Sequence, residues 1–165
     1  MATMRLARGL AVALLVTAAV HLPCVAYAQD WKPTGMFGWL GVGTAYQIEK
    51  DHTYWVGEFS GTFFNDKGDG ALMHHAAVKC PGFNDLDFTK KKGKAAGYCV
   101  ITDHDGDQAY LAWTCEGDTS KCTGSFNWTG GTGKYAKISG ANTFTGVTEV
   151  NHPDGKASGY AIWNR

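Results

Sequence analysis

A chain of 165 residues in which 15 Lys and Arg balance 15 Asp and Glu has no net charge at neutral pH. It therefore lacks the broad basic footprint with which proteins bind nucleic acid or an anionic membrane. Its length suits one domain around one core, and 22 glycines set among 6 Trp, 7 Tyr and 8 Phe weigh against helices and for strands joined by tight turns.

In chain order the first element is a leader. Arg5 and Arg8 precede the apolar run 10–20, and Ala26-Tyr27-Ala28 stands before the polar Gln29-Asp30, which is the charged, apolar and small-residue order of a secretory signal. Residues 1–28 are read as a cleavable signal peptide and 29–165 as one mature domain, secreted or periplasmic. The apolar run falls short of the roughly 20 residues that cross a hydrocarbon core, and Pro23 interrupts its continuation, so no membrane anchor is expected. Pro23 also occupies the place where a lipidation signal around Cys24 needs a small residue.

Trp31, Pro33 and Gly35 mark an extended lead-in, and eight strand-like segments follow at about 36–49, 52–64, 70–80, 95–103, 107–115, 122–129, 141–150 and 157–164. No stretch sustains a helical period. Ala109, Leu111 and Trp113 alternate with Gln108, Tyr110 and Thr114, and Phe126 and Trp128 alternate with Ser125, Asn127 and Thr129, so one face of each strand is apolar and the other wet. In the second segment Trp55, Phe59 and Phe63 share a face with Gly57 and Gly61, a pattern that suits strong strand coiling with rings filling the space beside the glycines. Turns are expected at 65–70, at Asp105-Gly106 and at His152-Pro153-Asp154-Gly155, where the proline and glycine fit the second and fourth positions of a type I turn. The basic run Lys90-Lys91-Lys92 with Lys94 reads as a solvated loop.

Eight short antiparallel strands without crossover helices form a sandwich or a closed barrel. Closure is favoured because a barrel has no edges for glycine-rich strands to protect. The expected fold is all-β, a single eight-stranded antiparallel β-barrel.

Four cysteines follow the leader: Cys80, Cys99, Cys115 and Cys122. An even number in an exported chain points to disulfides. Of the three pairings, Cys80–Cys99 with Cys115–Cys122 is preferred, because each bridge then joins strands adjacent in sequence. Zinc is disfavoured, since no Cys-x-x-Cys occurs and His75 alone lies near a cysteine at ligand spacing.

The most patterned stretch is Phe126-Asn127-Trp128-Thr129-Gly130-Gly131-Thr132-Gly133-Lys134-Tyr135-Ala136-Lys137-Ile138-Ser139-Gly140, followed by Asn142-Thr143-Phe144-Thr145-Gly146. It resembles the strand, glycine-rich turn, short helical turn and next strand of the allene oxide cyclase and dirigent barrel superfamily. The resemblance covers some 20 residues and, beyond them, the strand count. It implies an eight-stranded barrel with an apolar central cavity, a short helical turn after the Gly-rich loop at 130–133, and a homo-oligomer, trimer or dimer. No catalytic carboxylate of that superfamily's enzymes can be matched here residue by residue. Locally, glycine permits the positive φ that a chain reversal needs, and Tyr135 and Ile138, three apart, can plug one barrel end. A phosphate-cradling loop is disfavoured because the spacing is incomplete and no Ser or Thr follows Lys134.

The remaining chemistry is sparse. Asp103-His104-Asp105-Gly106-Asp107 alternates acids like a calcium loop, but an EF-hand begun at Asp103 calls for glycine at 108 and glutamate at 114, where Gln108 and Thr114 stand. A hairpin turn is the better account, and no metal is expected. His74 and His75, read as strand neighbours, should point to opposite faces. Glu58 becomes a general acid or base only if its face is interior, which the better core face of Trp55, Phe59 and Phe63 opposes. Asn127-Trp128-Thr129 fits a glycosylation triplet inside a strand. With no nucleophile elbow and no dinucleotide fingerprint, no cofactor is expected.

The leading expectation is a barrel that takes a small apolar or aromatic molecule among Trp55, Phe59, Tyr110, Trp113, Trp128 and Phe144. The alternative is a cofactor-independent cyclase or isomerase using Glu58, with His75 and Tyr46 as further catalytic candidates. A third reading is an interaction module whose barrel is filled by its own side chains.

Overall fold

The computed structural model describes residues 29–164, so the expected leader lies outside the described residues. Within them the chain forms β1 (Gln29–Asp30), β2 (Gly35–Glu49), β3 (His52–Asn65), β4 (Ala76–Asp87), β5 (Lys92–Thr102), β6 (Gln108–Gly117), β7 (Lys121–Gly131), a 3-10 turn at Gly133–Tyr135, β8 (Ile138–Ser139), β9 (Ala141–Asn151) and β10 (Lys156–Trp163). The eight long strands close into an antiparallel barrel in the order β10-β2-β3-β4-β5-β6-β7-β9. β1 and β8 pair in parallel beside it. Short turns, and between β3 and β4 the longer loop 66–75, join consecutive barrel strands, except that β7 and β9 are linked through the 3-10 turn and β8.

Register explains the glycines. Across β2 and β3, Trp39 faces Gly61, Phe59 faces Gly41 and Trp55 faces Ala45, so these three inward rings meet residues with little or no side chain. A Cβ on Gly61 would stand 1.9 Å from the Gly38 carbonyl oxygen. Strands packed this closely can coil sharply enough to close a barrel of eight.

The strand directions place the lead-in, the 66–75 loop, the 103–107 turn and the 3-10 turn at one end, and the turns at 50–51, 88–91, 118–120 and 152–155 at the other. The first end is closed. Phe63 is fully buried and stacks on Trp163 with ring centroids 4.4 Å apart, and Phe126 meets Trp163 at 4.7 Å. Met73 and Tyr135 are buried against this cluster, and Ile138 packs on it, so the helical turn plugs the barrel as its sequence suggests.

The third segment departs from expectation. Residues 70–75 are turn, and the strand begins at Ala76 and runs on to Asp87. Met73 and His75 adopt positive φ, at 61° and 62°, which breaks the extended backbone before Ala76. At the other boundary the expected segment stops at about residue 80, yet Pro81 lies inside β4: the pairing with β5 runs through Lys79↔Val100 and resumes at Gly82↔Gly97. A proline has no N–H for the ladder, and the Cys80–Cys99 disulfide crosses between the two strands within this gap. The second disulfide joins Cys115 and Cys122 on β6 and β7. Both preferred pairings are present.

Candidate functional site

The half of the barrel away from the plug is hollow. A cavity of about 320 Å³ opens there, walled by Trp39, Trp55, Phe59, Trp113 and Phe144. Phe59 sits at the centre of this wall, with ring centroids 5.1 Å from Trp39, 4.9 Å from Trp55 and 6.0 Å from Trp113. The rings come together because each occupies an inward position of its strand, where the alternating outward residues are smaller or more polar. Phe37, Leu111, Phe126 and Trp163 form the floor, shared with the closed half. The ionisable residues that border the cavity, Lys94, Asp118, Lys121, His152 and Lys156, are exposed near the open-end turns. Trp113 adds one polar feature: its Nε1–H is buried and lacks a hydrogen-bond partner among the described residues. Its ring edge packs where a Cβ on Gly82 would lie 2.9 Å from Cζ2.

The aromatic candidates divide between the two halves. Trp55, Phe59, Trp113 and Phe144 line the cavity. Trp128 is buried at the closed end instead, where its Nε1–H donates to the Trp31 carbonyl at 3.1 Å and its ring lies 5.5 Å from that of Trp31. Tyr110 is on the outer face and donates its hydroxyl to Gln108 Oε1 at 2.8 Å. Both follow from β6 and β7 register, which sets Trp128 opposite Leu111 near the plug and turns Tyr110 outward between inward Ala109 and Leu111.

The catalytic candidates lie outside the cavity. Glu58 is on the outer face with exposed Val56, and accepts a hydrogen bond from Ser60 Oγ at 2.5 Å. Tyr46 is exposed on the outside of β2. His75 is exposed in the 66–75 loop, at the opposite end of the barrel. The reading of His74 and His75 as opposed strand neighbours is corrected: because both belong to a turn, their ring centroids are only 3.9 Å apart.

A second polar centre caps the closed end. Asp103, Asp105 and Asp107 converge on the Lys134 ammonium, at 2.8, 2.5 and 4.0 Å. Asp103 is nearly buried, and its carboxylate also accepts the Tyr135 hydroxyl at 3.0 Å and the backbone amides of Asp105 and Asp107. Burial by itself would raise this carboxyl, but the hydrogen bonds from Lys134, Tyr135 and the Asp105 amide outweigh it and hold Asp103 below the ordinary carboxylate range. The same contacts act on the partners. Lys134 is raised by Asp103 and then Asp105, and Tyr135 is pushed up to about 12 by burial first and by Asp103 second. The alternating acids thus hold a lysine ammonium as their cation, and the 130–134 turn spends its lysine on carboxylates. Gly133 is required here, since its φ is +48° and a Cβ would fall 1.8 Å from Asp107 Oδ1.

Sequence reasoning finds the two members of this centre separately, as a turn and a glycine-rich loop, and misses that they meet. The available signal is the excess of acids in 103–107 over what a turn needs. In comparisons with known proteins, no family model, no curated protein and no solved structure matches this chain.

Proposed function

We propose that the protein is exported and that its barrel binds a small apolar or aromatic molecule through the open end. The observation that carries this reading is the cavity of about 320 Å³ walled by five aromatic rings, a volume and lining of the kind that small-molecule sites have. Two disulfide-linked strand pairs support an oxidising destination. Kinship with the allene oxide cyclase and dirigent barrels belongs to the same proposal, supported by the closed eight-stranded barrel and the 3-10 turn that begins at Gly133, at the end of the glycine-rich loop.

Binding is favoured over cyclisation because Glu58, the carboxylate a cyclase would use, faces away from the cavity. An apolar ligand would be held by ring contacts and by exclusion of water. The test is native mass spectrometry of the protein purified from its producing cell, paired with tryptophan-fluorescence titration using a naphthalene-based apolar dye. A retained ligand, and a dye signal abolished by the cavity-filling substitution Ala157→Phe and untouched by Glu58→Gln, are expected. A folded protein that retains nothing and takes up no dye would overturn the proposal.

A further inference from the structure

We propose that the β3–β4 loop at the closed end is a zinc site formed by Asp69, His74 and His75. One nitrogen from each imidazole and one Asp69 oxygen lie within 4.8 Å of one another, and His74 Nε2 is already 3.5 Å from Asp69 Oδ1. A tetrahedral Zn²⁺ with bonds of about 2.0–2.1 Å places its ligands roughly 3.3 Å apart, so contraction by an exposed carboxylate and an exposed imidazole completes the set. Two imidazoles and one carboxylate leave a fourth position for water. The set suits Zn²⁺ better than Ca²⁺ or Mg²⁺, which prefer oxygen ligands.

The loop is built to hold these side chains together. Asn65, buried at the end of β3, donates Nδ2 to the Leu72 carbonyl at 3.1 Å and accepts the Lys67 amide at 3.0 Å. Successive turn hydrogen bonds run from Ala71 N to Gly68 O, His74 N to Ala71 O and Ala76 N to Met73 O. Positive φ at Met73 and His75 then brings both imidazoles to one side, a conformation that residues other than glycine adopt at a cost and keep only where surroundings impose it. Phe64 meets both rings edge-on, with centroids 6.2 Å from His74 and 5.5 Å from His75. A recess beside them, also lined by Asp103 and His104, gives water a way to the metal.

One hydrogen bond reports on binding. The Asn65 amide donates to His74 Nδ1 at 3.1 Å, so a neutral His74 carries its proton on Nε2, the nitrogen nearest Asp69. To bind zinc through Nε2 the ring must carry its proton on Nδ1 and give up the Asn65 amide. Zinc binding therefore changes Asn65 as well as its ligands.

The experiment is calorimetric titration of chelator-stripped protein with Zn²⁺, alongside amide NMR spectra. One equivalent should bind, the Asn65 amide should shift, and amides at the open end such as Gly155 should stay in place. His75→Ala and Asp69→Asn, at exposed positions, should each weaken binding about ten- to hundredfold with the thermal midpoint kept. His74→Ala is less useful because it removes the acceptor of a main-chain amide. No uptake of zinc, uptake undiminished in His75→Ala, or shifts confined to residues away from this loop would overturn the site.

Discussion

Tyr135 shows how much one side chain can settle in a barrel end. Its ring is buried in the plug while its hydroxyl donates to Asp103, so Tyr135→Phe keeps the packing and removes a hydrogen bond to a charged acceptor. Denaturant unfolding should show a loss of about 1.5–3 kcal/mol. The pH dependence has a definite sign on each side. Asp103 has its pKa lowered in the fold, so its contribution is present above the unfolded carboxylate value near 4 and is lost as the pH falls through the lower folded value. Tyr135 has its pKa raised to about 12, so its contribution is present below its unfolded value of about 10 and is lost as the pH climbs towards the folded one. Stability curves of the wild type and Tyr135→Phe should converge over that alkaline interval; curves that stay parallel there would remove Tyr135 from the linkage. At Phe63, fully buried against Trp163, truncation to alanine should cost about 3–5 kcal/mol.

Among elements, β4 is the informative one. Its inward residues Ala76, Val78 and Cys80 alternate with exposed neighbours, and that part of the strand is legible in the sequence. Its continuation past Pro81 is not, because proline argues against a central strand wherever only local rules apply. The Cys80–Cys99 bridge supplies a covalent link within the interrupted ladder. Sequence separations of 19 and 7 give loop-entropy contributions of about 3 kcal/mol for Cys80–Cys99 and about 2.5 kcal/mol for Cys115–Cys122. Paired serine substitutions should therefore both lower the unfolding midpoint, the first pair more, as measured by circular dichroism. An equal or reversed order would mean that the loop model does not govern this barrel. The loop before β4 escapes a local reading for a related reason: positive φ at Met73 and His75 is imposed by Asn65 and the surrounding turns, not by the preferences of methionine or histidine.

At the scale of the molecule, the barrel is two unlike halves. One is packed with aromatic side chains and sealed by Tyr135 and Met73; the other keeps its rings on the wall and its charges near the rim. The asymmetry has a simple source, since the loops that cross the closed end bring large apolar residues, whereas the open end carries short turns in which Lys, Asp and Thr predominate. Filling the hollow half with Ala157→Phe should leave the fold intact and raise the unfolding midpoint slightly while removing dye binding, because new apolar contacts replace empty volume. A variant that unfolds would instead indicate that this half tolerates no added side chain.

The sequence alone determined the all-β class, the eight strands, the inward aromatic faces and the disulfide partners preferred among three pairings. Each rests on local regularities: alternation of period two, glycine and proline at turns, and strand adjacency. Tertiary structure decided which aromatic rings face the cavity and which fill the plug, because alternation fixes a residue's face and says nothing of its height along the barrel axis. The outward face of Glu58 follows from the alternation already read in Trp55, Phe59 and Phe63, whereas tertiary structure joined Asp103 to Lys134 across 31 residues of chain and brought His74 beside His75. Those arrangements depend on closure, register and backbone conformations that are imposed by contacts distant in sequence.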